Sequence, residues 1–200
     1  MIALTSLQLI AKMTLAGKIK KQKPIPGIIE EEIPFKIPKS WRWTYLPEIY
    51  NSITPAEKIK TSEILESGDF PVVDQGQRYV AGYTESGNLT KITKPVVVFG
   101  DHTREVKLIN FNFIAGADGV KILEPILVDS EYFYLLIKVF SPETRGYGRH
   151  FKLLNQRLVP LAPLNEQERI VEKTSQLLNF VDQLESKLPK PNSKRGRPTS

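Results

Sequence analysis

Three polar stretches hold most of the residues able to do chemistry. Asp74-Gln-Gly-Gln-Arg-Tyr79 sets two amides beside a guanidinium and a phenol. Gly100-Asp-His-Thr-Arg104 follows the apolar run Val96-Val-Val-Phe99, so its polar tip stands on a rigid base. Arg145-Gly-Tyr-Gly-Arg-His-Phe-Lys152 spreads three cations around two glycines and an aromatic ring. An amide can pair bidentately with adenine and a guanidinium with guanine. Cations around a flexible, aromatic-bearing loop suit an anionic backbone. The residues expected to touch nucleic acid are therefore Gln75, Gln77, Arg78, Tyr79, His102, Thr103, Arg104, Lys107, Arg145, Tyr147, Arg149, His150 and Lys152. Each loop taken singly could equally be a solvated turn; together, in one nearly neutral body, they point to nucleic acid.

Catalytic signals are sparse. The chain has neither a phosphate-cradling Gly-x-x-x-x-Gly-Lys loop nor a dinucleotide fingerprint. Its only histidines are His102 and His150, and with no cysteine they make a poor metal set. Asp74 with Glu105-Val-Lys107 would supply two acids for Mg²⁺ and a lysine to steady a water, so a metal-dependent DNA nuclease is one alternative. An acid-x-lysine triplet is common by chance and has no second motif beside it. No catalytic residue, metal or cofactor is expected.

The elements that must position these loops are mainly strands. Phe70–Val73, Arg78–Ala81, Val96–Phe99, Lys107–Ile109, Phe113–Ile114 and Gly119–Leu123 are β-rich and separated by Gly, Asp, Asn and Pro. Trp41 and Trp43 alternate with polar residues as core anchors of an opening strand. Tyr132–Phe140 lacks alternation and reads as helix, and Gly116-Ala-Asp-Gly119 as a turn in which Asp118 caps neighbouring amides. After about residue 160, Pro160 and Pro163 stiffen an elbow, Asn165 offers an N-cap oxygen, and Glu166 and Glu168 suit the first turn of a helix. Ile170, Thr174, Leu177, Val181, Leu184 and Leu188 follow at alternating spacings of four and three. That is a short coiled-coil seam, with Thr174 its polar member. The alternative is a C-terminal helix packed on its own domain. The expected fold is α+β: a mainly β domain over 38–160, then an elbow and a coiled-coil-forming helix over 161–188. Residues 1–37 would supply an amphipathic helix (Leu4, Leu7, Ala11, Leu15) and a charged linker, and residues 189–200 a disordered basic tail.

Two hundred residues, 40% apolar, suit one core with an appendage. The formal charge of +6 misleads, because Lys187, Lys190, Lys194, Arg195 and Arg197 supply five of it. The body is almost neutral, so nucleic-acid binding must come from local patches. Lys194-Arg-Gly-Arg-Pro198 resembles the core of a minor-groove hook. The absence of cysteine fits a reducing cytoplasm. Met1–Leu15 lacks a basic leader region and is interrupted by Gln8 and Lys12, so no signal peptide is expected, and no membrane span.

Pro160-Leu-Ala-Pro-Leu-Asn-Glu-Gln-Glu-Arg-Ile-Val171 resembles the segment closing a target recognition domain in specificity subunits of type I restriction–modification systems. Ile33-Pro-Phe-Lys-Ile-Pro-Lys-Ser-Trp-Arg-Trp43 is similar to the opening of such a domain. Phe70–Gln77, Ala81–Thr84, Val98–Arg104 and Gly116–Gly119 resemble one subclass, in the family's order. The resemblance spans roughly residues 18 to 188. It implies a non-catalytic reader of double-stranded DNA that recruits a methyltransferase subunit and, with it, an ATP-driven restriction subunit. Such subunits carry two recognition domains and two long helices, and this chain resembles half of one. An exposed seam then implies a homodimer, its helices antiparallel and its target an interrupted palindrome. A coiled-coil adaptor without DNA contacts is the second alternative.

Overall fold

In the computed structural model, residues 27–143 and 148–188 are described. The helix expected at Leu4–Leu15, Arg145 and Tyr147 of the third loop, and the basic tail lie outside them. In chain order the strands are β1 Arg42–Tyr45, β2 Tyr50–Ile53, β3 Lys58–Ile59, β4 Phe70–Val73 and β5 Gly82–Thr84. β6 Val96–Gly100, β7 Val106–Ile109, β8 Ile114–Gly116 and β9 Val120–Pro125 follow. Then come helices α1 Ser130–Phe140 and α2 Phe151–Leu154, strand β10 Leu158–Leu161 and helix α3 Leu164–Lys187.

The apolar run Val96–Phe99 forms the middle of the molecule because it is buried on both faces. It lies in an antiparallel sheet of order β2-β9-β6-β7. Alternation sends Val96 and Val98 towards a second sheet, of order β3-β8-β4-β5. Val97 and Phe99 face α1, joined there by Leu123 of β9. All four are at most 1% exposed; each such burial contributes roughly 1.5–3 kcal/mol before chain entropy is counted. The second sheet is mixed, with β8 parallel to β3 and β4 and β5 antiparallel to β4.

Tyr132–Phe140 is helical as expected. Asp129 caps it, its carboxylate accepting the Glu131 and Tyr132 amides at 2.9 Å. Arg78–Ala81 is not a strand. β5 begins at Gly82, where a Cβ would lie 2.4 Å from the Leu65 carbonyl oxygen. The register Val72↔Gly82 is therefore set by the one residue able to pass beneath Leu65, which leaves residues 74–81 as a loop. The tryptophans also differ from expectation: Trp41 precedes β1, both rings are only half-buried, and Thr44 takes the buried position. Its hydroxyl donates to Glu48 Oε2 at 2.6 Å, satisfying a polar group that burial would otherwise penalise. Trp43 stacks edge-on against Phe35, and Trp41 Nε1 donates to Glu166 Oε2 at 2.6 Å.

The proline-rich stretch does not swing the helix clear of the body. β10 pairs with β1, Pro160 opposite Trp43, and all four β10 residues are buried. α3 starts at Leu164 with Pro163 as its N-cap residue. Asn165 is thus inside the first turn, and the Pro163 carbonyl accepts the Glu166 and Gln167 amides. The helix is anchored by Gln167, which is 1% exposed. Its Oε1 accepts the Asp129 amide at 2.8 Å and its Nε2 donates to the Ala162 carbonyl at 2.7 Å. Ile170 and Val171 pack against the same core as α1. From Ser175 onward every described residue of α3 is exposed.

Replacing Gln167 by leucine would keep the volume and orphan two backbone groups, one buried and one partly buried. Denaturant unfolding should show a loss of about 1–3 kcal/mol, and an unchanged midpoint would contradict the anchoring role. Burial pushes the Tyr50 phenol up to about 12, and its hydroxyl donates to Asn155 Oδ1 at 2.6 Å. Below pH 10 both states keep the proton. Above it only the unfolded chain ionises, so stability should fall between pH 10 and 12 by about 2 kcal/mol. Alkaline unfolding of Tyr50→Phe should lack that share of the decline.

Candidate nucleic-acid interface

The first two polar loops and residues 148–152 of the third meet at one end of the body. The hinge between the first two is Gln75, whose Oε1 accepts the His102 amide at 3.1 Å and whose carbonyl accepts the Thr103 hydroxyl at 2.6 Å. The approach depends on two glycines. A Cβ on Gly100 would sit 3.0 Å from Gln75 Cβ and 2.2 Å from Thr103 Oγ1. One on Gly119, at φ +66°, would sit 2.3 Å from Gln75 Oε1. The turn at Gly116–Gly119 is present, but the side chain packed into it is Gln75, while Asp118 is exposed.

Asp101, only 5% exposed, joins the rest. Its amide donates to the Gly119 carbonyl at 2.7 Å, and its carbonyl accepts the His150 amide at 2.9 Å. His150 Nδ1 lies 3.0 Å from that same carbonyl. Asp101 Oδ1 accepts the Phe151 amide at 2.8 Å, capping the turn of α2, while Oδ2 lies 3.8 Å from Lys121 Nζ. The Lys121 ammonium also rests over the Phe151 ring, 5.5 Å from its centroid.

The expected contact residues divide by exposure. Gln77, Arg78, Tyr79, Thr103, Arg149 and Lys152 are exposed, and Gln75, His102 and Arg104 half-buried. Tyr79 stands against the body, its hydroxyl donating to the Leu108 carbonyl at 2.5 Å and its ring meeting Phe111 edge-on. Burial and the nearby Tyr134 raise its pKa. Arg104 adopts φ +64°, uncommon for a residue with a side chain, and its Nη1 donates to the Pro142 carbonyl at 3.1 Å. The guanidinium has five N–H donors, so one such bond leaves others for a ligand.

Lys107 and His150 are corrected by their burial: they are 5% and 1% exposed and cannot reach a nucleic-acid surface. Alternation along β7 points Lys107 between the sheets. There its ammonium donates to the Asp74 carbonyl at 2.9 Å and pairs with Asp74 Oδ1 at 3.4 Å. Desolvation lowers its pKa, opposed by Asp74. Asp74 Oδ1 also accepts the Gly76 amide at 2.8 Å, so the acid and lysine of the suggested nuclease set are holding a loop together. Among the described residues no three His, Cys, Asp or Glu side chains gather to hold a metal ion.

Two contributors were missed. Asp101 is one, and its signal is an acid directly after a wholly buried strand, where a capping side chain is needed. Gln167 occupies the seam position three residues before Ile170, where a polar side chain on an apolar stripe signals a buried hydrogen bond.

Comparison with known proteins places this arrangement. Residues 38–191 match the family model for the type I restriction modification DNA specificity domain. The chain belongs to that family. It is 29% identical to the specificity subunit of the type I restriction enzyme EcoAI of Escherichia coli, across 88% of this chain and 34% of that subunit. With the EcoEI specificity subunit of Escherichia coli it shares 28%, across 84% and 33%. The chain thus spans about a third of the length of these curated relatives. The solved HsdS subunit from Thermoanaerobacter tengcongensis superimposes with a TM-score of 0.57 at 21% identity. That match covers 80% of this chain and 44% of the other, and supports the α+β fold of a mainly β domain carrying a long helix.

Proposed function

We propose that this chain reads one half-site of double-stranded DNA through its three converged loops and delivers a methyltransferase subunit, and with it a restriction subunit, to that site. The observation carrying the reading is the convergence itself: Gln77, Arg78, Thr103, Arg149 and Lys152 are exposed at one end of a body that matches the specificity-domain family. The chain acts without catalysis or cofactor of its own, in the cytoplasm with the DNA it reads. Arg78 and Arg104 read base edges, while Lys152 and Arg149 hold phosphates. In selection from random duplexes, Arg78→Ala or Arg104→Ala should relax preference at one position and cost about 1–3 kcal/mol. Lys152→Ala should weaken all sequences alike and flatten the salt slope. Wild-type preference surviving alanine at Gln77, Arg78 and Arg104 together would reject the assignment. Duplex cleavage in Mg²⁺ by the chain alone would favour the nuclease.

A second reading concerns the helix. Leu177, Leu178, Phe180, Val181, Leu184 and Leu188 are 46–67% exposed, an apolar stripe of a kind that is normally covered. We infer a homodimer through antiparallel α3 helices. The exposed part of α3, residues 175–187, is about 20 Å long, and antiparallel pairing over it places the two readers at opposite ends of the helix pair. A two-fold pair repeats one reader, and its target is an interrupted palindrome. Leu177→Glu with Leu184→Glu should yield folded monomers in sedimentation that bind a half-site weakly. A wild-type monomer at micromolar concentration would assign the stripe to another subunit.

A further inference from the structure

The oxygen atoms of Asp101 and Gln75 bond within the protein, although both residues sit in the loops proposed to read DNA. Asp101 reaches two neighbouring loops at once, through its amide to Gly119 and through its carbonyl and Oδ1 to His150 and Phe151. Gln75 reaches a third, through the His102 amide and the Thr103 hydroxyl. The chain of contacts therefore runs from the β4–β5 loop to the β6–β7 loop, and from there to the β8–β9 turn and the start of α2. Exposed Arg78 lies three residues beyond Gln75, and exposed Arg149 and Lys152 flank the His150–Phe151 pair that Asp101 holds.

We infer that Asp101 and Gln75 are specificity-determining positioning residues: they touch no base, yet they set the spacing between the side chains that do. This rests on the DNA-reading proposal above. The geometry supplies the reason. Matching a base edge requires the reading group to be placed to a fraction of an ångström. Phosphate attraction, by contrast, tolerates displacement, because it follows charge more than direction. Loss of the Asp101 carboxylate frees the amide that begins α2 and lets Arg149 and Lys152 drift relative to Arg104. No cation is removed, so attraction to any duplex stays. Gln75, expected from its amide to pair with adenine, is instead a spacer whose carbonyl oxygen is already used by the protein.

The test uses the full chain with two pairs of readouts. Asp101→Asn keeps an oxygen acceptor for the Phe151 amide; Asp101→Ala removes it. Gln75→Met keeps the length and removes the acceptor for the His102 amide, and serves if Asp101→Ala fails to fold. Asp101→Ala and Gln75→Met should each reduce the ratio of affinity for the selected duplex to that for a scrambled one by about tenfold, the equivalent of one good base contact. Affinity for the scrambled duplex should not fall, any gain from the lost negative charge being shared by Asp101→Ala and Asp101→Asn, and Asp101→Asn should restore the ratio. In the DNA-free chain, amide exchange through residues 148–154 should quicken in Asp101→Ala and not in Asp101→Asn. Equal loss on both duplexes would make the role merely structural and overturn the inference, as would unchanged exchange in Asp101→Ala. A wild-type chain with no duplex preference would overturn the DNA reading instead, and exchange would then decide the positioning role alone.

Discussion

The junction of body and helix depends on a single buried amide. Gln167 satisfies the Asp129 N–H and the Ala162 carbonyl, which belong to the start of α1 and the end of β10. The Ala162 carbonyl is buried and the Asp129 N–H partly buried, and an unpaired backbone donor or acceptor away from water costs more than the bond itself is worth in water. One side chain therefore ties α1, β10 and α3 together. Because β10 is also zipped onto β1, the two ends of the body close on each other before the helix leaves. The direction of α3 is set at this point, and with it the relation between the loop end and whatever the helix engages.

The same economy operates at the loop end. The central sheet spends both faces on packing, one against α1 and one against the second sheet. Polar side chains then project mainly at strand ends, and chain reversal there creates backbone groups that need partners. Asp101, Gln75, Lys107 and His150 meet that need from inside the body. Their hydrogen bonds leave Gln77, Arg78, Arg149 and Lys152 exposed on loops whose roots are held.

Much of this was legible from residue order, and the failures have identifiable causes. Val96–Phe99 and Tyr132–Phe140 were readable because apolar length and alternation act locally. Arg78–Ala81 has strand-like residues, but tertiary register at Gly82 overrides them. Asn165 has a capping side chain, yet Pro163 already starts the turn, so the side chain falls two positions too late. Lys107 and His150 looked like ligand-binding groups because charge and ring chemistry do not reveal which way a strand or turn faces. The loops could be named individually; that they converge depended on Asp101 and on glycines at 100 and 119, whose roles appear only when chains remote in sequence come together.

The seam on α3 shows why packing on the body and pairing with a partner were poor alternatives to set against each other. Ile170 and Val171 pack on the core, and Gln167 takes the preceding seam position with its amide. Leu177, Val181 and Leu184 continue the same stripe beyond the edge of the body, with Leu178 and Phe180 widening it on either side. A single helical face thus serves two surfaces in succession. Hydrophobic periodicity cannot mark where one ends and the other begins, since both require the same spacing. The change is marked by polarity instead: Gln167 and half-buried Thr174 lie on the stripe only where the body is there to meet them, and past Thr174 the stripe is wholly apolar. A partner meeting that outer part is therefore selected by shape and apolar area, whereas the inner part is held in one register by hydrogen bonds.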